Sequence, residues 1–243
     1  FPGYLGCDTV YHDLQHTLDD TLAMARLLSG YDKSHAADQR LGADRAVIGI
    51  VVALFHDSGY IRQTDDTLHR NGAEFTRTHV ARGANFLARY LPTIGMAEWV
   101  PVATQIVHFT GYELKFDQIR LDDARDRKVG HLLGTADMMA QMADRCYLEK
   151  CRDRLYPEFV LGGVAVYRQE NSLKVNYGSG LDVLRQTPDF VAETMRTRLD
   201  GEFGGAYRYV EVLFGGRNPY METIERSLDY LKLVLQSKRW WML

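Results

Sequence analysis

Residues 43–57 read ADRAVIGIVVALFHD, and the fold turns on whether this run is a helix or a strand. The β-branched stretch from Val47 to Val52 suits a strand, but the length and the Ala and Leu residues favour a helix. A helix of this composition is apolar on nearly every side, which predicts a central, buried element. It closes on His56 and Asp57, two polar groups at the end of an intensely apolar run. Burying either group without a partner costs several kcal/mol, so something in the fold must satisfy them.

Helical periodicity dominates on both sides of this run. Asp8 is placed to cap a first helix reaching about Ser29, with Leu14, Leu18, Leu22 and Ala25 as its apolar stripe and Gly30 as its end. Asn71 is placed to cap GAEFTRTHVARGANFLARYL, residues 72–91, which stops before Pro92. Residues 96–109, MAEWVPVATQIVHF, form a further helix in which Pro101 falls early enough to be tolerated. Residues 123–150 form a long amphipathic helix. In VLGGVAVYRQENSLKVNYGSG, residues 160–180, short alternating stretches and turn residues predict a loop or small hairpin. Helical patterns resume at about 180–200, 205–214 and 219–239, the last through Ile224, Leu228, Leu231 and Leu235. The expected fold class is mostly α. Residues 1–150 make a helical core, and residues 151–243 make a C-terminal helical extension packed on it, as part of the same domain or beside it.

Composition narrows the function. The 243 residues are 46% hydrophobic and 25% charged, ordinary for a globular chain with a sizeable core. A net charge of −3 argues against binding nucleic acid by bulk electrostatics. Cys7, Cys146 and Cys151 are odd in number and lack CxxC spacing, so neither a disulfide framework nor a cysteine zinc site is expected. That usage fits the cytoplasm. No membrane span or signal peptide is visible. The sequence starts at Phe1 rather than Met, which points to a piece removed upstream, one able to carry a targeting or sensor segment.

Polar residues recur on the predicted apolar helices. YHDLQHTLDD, residues 11–20, places His12 and His16 four apart, about one helical turn, so both imidazoles are expected on one face. His79 lies mid-helix in FTRTHVARGA, His108 near the end of TQIVHF, and Asp137 within HLLGTADMMAQMA. Taken singly, each is more often a satisfied core residue than a ligand. Together they give five predicted helices that each carry a His or Asp on or beside an apolar face, the pattern of helices converging on a metal centre. Imidazole and carboxylate donors suit divalent iron, manganese, zinc, nickel or magnesium. His35 and His69 read as solvated, His131 falls off the ligand face, the RDRK run at 125–128 reads as a solvated face, and Met138, Met139 and Met142 read as core.

The order His16, His56-Asp57, Asp137 resembles the H…HD…D signature of the HD-domain metal-dependent phosphohydrolases. His79 and His108 match the two extra histidines of that superfamily's dinuclear members. YHDLQHTLDD is similar to the YHNxxHxxDV motif of cyclic-nucleotide phosphodiesterases, with Asp13 for Asn and Asp20 for Val. The resemblance covers roughly residues 8–145; residues 150–243 carry no assignable motif. It implies an HD-domain helical bundle in which His16, His56, Asp57 and Asp137 hold a first metal. His79 and His108 would hold a second, with Asp57 bridging, and His12 would protonate the leaving oxygen.

The chain departs from several subfamilies. It lacks the HHExxDGxGYP stretch of cyclic-di-GMP hydrolases, and Tyr60 stands where many HD proteins have Lys. It also lacks the further histidine that eukaryotic cyclic-nucleotide phosphodiesterases carry just after the HD pair, and no purine-clamping glutamine is identifiable. The resemblance therefore implies a hydrolase of a phosphodiester or phosphomonoester in a nucleotide-like small molecule, with two divalent ions. Neither a nucleic-acid nor a membrane partner is expected, and a homodimer is compatible with the reading. The same ligand set also serves HD-type diiron oxygenases similar to myo-inositol oxygenase, and a regulatory HD module without turnover is the third alternative.

Overall fold

The computed structural model describes residues 2–170, 172–238 and 242. The chain is mostly α-helical, with one two-stranded sheet among the described residues. Helix α1 spans Leu14–Ser34, α2 Ala43–Phe55, α3 His79–Tyr90, α4 Val100–Ile106 and α5 Ala124–Met142. Then α6 (Tyr147–Lys150) runs through a π-helical stretch, Cys151–Leu155, into α7 (Tyr156–Leu161). A hairpin of β1 (Val166–Gln169) and β2 (Ser172–Val175) follows, antiparallel with Val166 opposite Val175. Helices α8 (Gly180–Thr194) and α9 (Pro219–Ser237) complete the chain, with a π-helical stretch Met195–Glu202 and a 3₁₀ run Ala206–Leu213 between them. Residue 239, the end of the last expected helix, lies outside the described residues. No helix among them is long and apolar enough to cross a membrane.

Residues 43–55 are helical, as their composition requires, yet α2 buries one side only. Ile48, Gly49, Val52 and Ala53 are buried, while Val47 is 52% and Leu54 39% exposed. The enclosed helix is α5, packed against α1, α2 and α4 and buried on almost every turn from Val129 to Met142. Residues before and after position 150 share one hydrophobic core, since Leu184, Leu199, Phe203 and Val210 cluster with Met24, Leu27, Leu132 and Leu133. Within RDRK, Asp126 is buried and paired with Arg45 at 2.7 Å rather than solvated.

Helix α1 departs from its expected outline. It starts five residues after Thr9, with Asp13 rather than Asp8 as its cap, so His12 precedes the helix and does not share a helical face with His16. Its buried side carries His16, Asp20, Ala23, Met24, Leu27, Leu28 and Tyr31; Leu14, Leu18 and Leu22 lie on the exposed side. The leucine stripe misleads because the other face is chosen by polar residues that need one another. Gly30 does not end the helix. It lies where α1 meets the 206–213 run, and a Cβ there would stand 1.9 Å from the Tyr209 carbonyl oxygen.

The segment 72–91 is also divided. Asn71 caps a short 3₁₀ turn, Gly72–Phe75, with Glu74 completing a capping box, and α3 begins afresh at His79. Just after α2, the Ser58–Tyr60 turn lies against the start of α3, so close that a Cβ on Gly59 would meet the His79 carbonyl oxygen at 1.7 Å. That approach sets the spacing between Asp57 and His79. Gly59→Ala should destabilise the protein by at least about 1–3 kcal/mol through overpacking against backbone. Gly6→Ala, with nothing within 4 Å of its Cβ, should leave the melting temperature nearly unchanged, and thermal unfolding of the two variants checks the contrast.

Candidate metal centre

Each side chain of the site is placed by a local feature of the backbone. The Asp13 carboxylate accepts the His16 N–H at 2.9 Å, which fixes the first turn of α1 and points His16 inward. Four residues on, Asp20 leaves the same face and is fully buried. His56 follows the last residue of α2, where its Nδ1 lies 2.8 Å from the Ala53 carbonyl oxygen and 3.4 Å from Asp20 Oδ2. Donation from Nδ1 leaves Nε2 to face the site. His79 uses its Nδ1 in the same way, 2.9 Å from the Thr76 carbonyl oxygen.

The side chains converge most tightly at His16, His56 and Asp57, all of whose inward atoms lie within 4.8 Å of one another. Asp57 Oδ2 stands 3.3 Å from His16 Nε2 and 3.3 Å from His56 Nε2, and the two Nε2 atoms are 3.4 Å apart. Asp137 Oδ1, from mid-α5, is 3.5 Å from His16 Nε2 and 3.9 Å from His56 Nε2. His79 Nε2 reaches the other Asp57 oxygen, Oδ1, at 3.8 Å. His108, in a short 3₁₀ turn after α4, is buried, but among the described residues its Nδ1 has no hydrogen-bond partner and no ion pair joins it to Asp57 or Asp137. Five of the six expected ligands thus face one another, and His108 is not brought into contact with them.

The spacing can be tested against the size of an ion. Donor atoms about 2.1 Å from one tetrahedral or octahedral cation lie roughly 3.0–3.4 Å apart. The three distances among His16, His56 and Asp57 fall in that range. Asp57 Oδ2 is also buried without a hydrogen-bonding partner, which is costly unless a cation completes it. The cluster is therefore able to hold a metal ion.

The close packing of these groups shifts their titration in opposite directions. Burial would raise the Asp57 carboxyl, but His56 and His12 hold it well below the usual carboxylate range. Burial opposes charge on His56, yet Asp57 and Asp20 lift its imidazole well above the ordinary value. His79 and His108 are both lowered by burial, which favours the neutral form that coordinates metals. Asp20 is pushed well above the usual range by burial, with His56 opposing.

Further residues outside the expected set complete the arrangement. Asp20 stands behind His56, the position from which a carboxylate orients a ligating imidazole. Glu158, on α7, binds His12 Nδ1 with Oε1 and accepts the Tyr11 N–H with Oε2 at 2.9 Å. The His12 ring then stacks on Tyr60 at 4.6 Å, and Tyr60 stacks on His79 at 4.3 Å. Glu113 anchors the start of α3 next to His79, its carboxylate accepting the Val80 and Ala81 N–H groups at 2.8 and 3.0 Å. Asp20 carried a sequence signal, four residues after His16 on one helix face. Glu158 carried none, because it is 146 residues from His12.

Comparison with protein-family models, with curated proteins and with solved structures gave no match.

Loss of a buried donor should empty the site in graded fashion. Asp57→Asn keeps the shape but loses the charge and one donor oxygen, so the purified variant should retain little metal. Asp20→Ala leaves the ligands in place and should weaken binding by about 10–100-fold. Metal analysis after dialysis against a competing chelator measures both; full metal content in Asp57→Asn would remove Asp57 from the ligand set.

Proposed function

We propose that the chain is an HD-type metal-dependent phosphohydrolase acting on a phosphoester of a nucleotide-like small molecule. The observation that carries this reading is the position of His12. It faces the same cavity as Asp57, His79 and Asp137, and its Nδ1 is held by a buried glutamate.

That cavity holds about 520 Å³, room for a nucleotide-sized ligand. Its far wall comes from the C-terminal half, through Leu155, Phe159, Tyr177 and Phe190, so the extension shapes the space in which a substrate would lie. The aromatic side chains suit a flat apolar group, while the acidic and imidazole groups gather at one end.

Divalent ions bound at the cluster supply electrophilic activation of the phosphoryl group and a water of lowered pKa. The protein's own contribution begins with Asp57, whose two oxygens face opposite ways, Oδ2 to His16 and His56 and Oδ1 to His79. Asp137 adds negative charge on the α5 side. His12 serves as general acid: its Nδ1 is held by Glu158, which leaves Nε2 free to protonate a departing oxygen. Burial disfavours its charged form, but Glu158 and Asp57 outweigh that and raise its pKa above the ordinary value, which favours the protonated, proton-donating form. Tyr60, stacked on His12 and His79, fixes both ring planes.

A screen of metal-loaded protein against phosphodiesters and phosphomonoesters, run with and without O₂, tests the reading, with O₂-independent hydrolysis expected and O₂-dependent oxidation as the contrary result. His12→Ala should keep its metal and lose about 10²–10⁴-fold in turnover. Because the protonated form acts, turnover should fall as pH rises through the raised His12 pKa. Glu158→Gln removes the charge that raises it, so the falling limb should move to lower pH. A pH–rate profile with an unmoved limb would take the acid role from His12.

A further inference from the structure

A second cavity, of about 660 Å³, adjoins the first and shares Gly111, Tyr112, Tyr177, Gln186 and Phe190 with it. In its wall lies Arg198, from the Met195–Glu202 stretch, a cation only 4% exposed. Its Nη2 donates to the Phe109 carbonyl at 2.6 Å and to the Gly111 carbonyl at 3.0 Å. Its Nε and Nη1 have no hydrogen-bond partner among the described residues. Two carbonyls therefore hold one nitrogen, and three N–H hydrogens are left over.

Buried guanidinium groups ordinarily face a carboxylate or phosphate, because removing the charge from water is otherwise uncompensated. Here, beyond the two carbonyls, the compensation is aromatic. The Tyr112 ring lies 4.3 Å from the guanidinium carbon, with Phe116 at 5.1 Å and Phe203 at 5.7 Å. Ring faces attract a cation but accept no conventional N–H···O bond. Tyr112 itself is 69% exposed, so little packing fixes it over the cation. Asp189 and Glu193 also line the cavity, but Glu193 is engaged by Arg196 at 2.7 Å.

We propose that the second cavity is an anion subsite in which a phosphate-type oxyanion, admitted as Tyr112 swings aside, takes the unclaimed hydrogens of Arg198. Guanidinium is the side chain best matched to such an anion, and burial strengthens the attraction. The oxyanion is either the far phosphate of a ligand seated in the adjoining cavity or free phosphate. The subsite does not depend on the hydrolase reading.

Calorimetric titration with sulfate at constant ionic strength tests it on the full chain. Wild type should show one saturable site, and Asp57→Asn, which disables the metal cluster, should bind sulfate equally well. Arg198→Gln should weaken it by about tenfold or more. Since Arg198→Gln also disturbs the two carbonyl contacts, Tyr112→Ala supplies an independent readout: removing the exposed ring should tighten sulfate binding. Absent saturation in wild type, loss in Asp57→Asn with retention in Arg198→Gln, or an unchanged affinity in Tyr112→Ala would each overturn the proposal. Once the site is shown, adenosine 5′-monophosphate and adenosine 3′,5′-bisphosphate separate the two sources. Arg198→Gln should weaken the bisphosphate more than the monophosphate if the anion is a ligand's far phosphate, and should leave both unchanged if it is free phosphate.

Discussion

A buried carboxylate between two buried imidazoles is the constraint on which the rest of this structure depends. Asp57 cannot be removed from water cheaply, and neither can His16 or His56, but each becomes tolerable in the presence of the others. The consequences spread outward. Helix α1 must turn its His16 and Asp20 side inward, and this leaves Leu14, Leu18 and Leu22 facing out. The turn after α2 must approach α3 closely enough to bring His79 alongside, which requires a glycine at position 59. Helix α5 must carry Asp137 into the centre of the apolar core.

The C-terminal half is coupled to this centre by the buried Glu158 as well as by packing. Glu158 reaches from α7 to the bend at Tyr11 and His12, joining chain segments that lie far apart in sequence. The same half supplies the far wall of the first cavity and the buried Arg198 of the second. The walls of both cavities are therefore shared between residues before position 150 and residues 151–198.

The helical class was legible because apolar residues recur with helical spacing over long stretches, and Asn71 and Pro101 behave as their chemistry dictates. The details that failed have one physical origin. Periodicity reports where apolar residues lie, whereas burial here is decided partly by polar groups that must meet across the fold. So the leucines of α1 were misleading, and His12 and His16 were expected to share a helical turn although the helix begins between them. Gly30 resembled a helix end because sequence alone does not reveal the backbone of Tyr209 pressing against it. Five of the six candidate ligands face one another, a grouping suggested by residue type and order. Glu158 and Arg198 were silent in sequence because a lone acid or base among exposed neighbours carries no periodic signal.

His16, His56 and Asp57 are placed to hold a metal ion together. X-ray absorption spectroscopy on the purified, metal-loaded chain tests that role most directly. The expected spectrum shows at least one tightly held ion with only nitrogen and oxygen neighbours at about 2.0–2.2 Å and the outer-shell scattering of two or more imidazoles. A chain that retains no ion after desalting, or an ion whose spectrum lacks imidazole scattering, would contradict it.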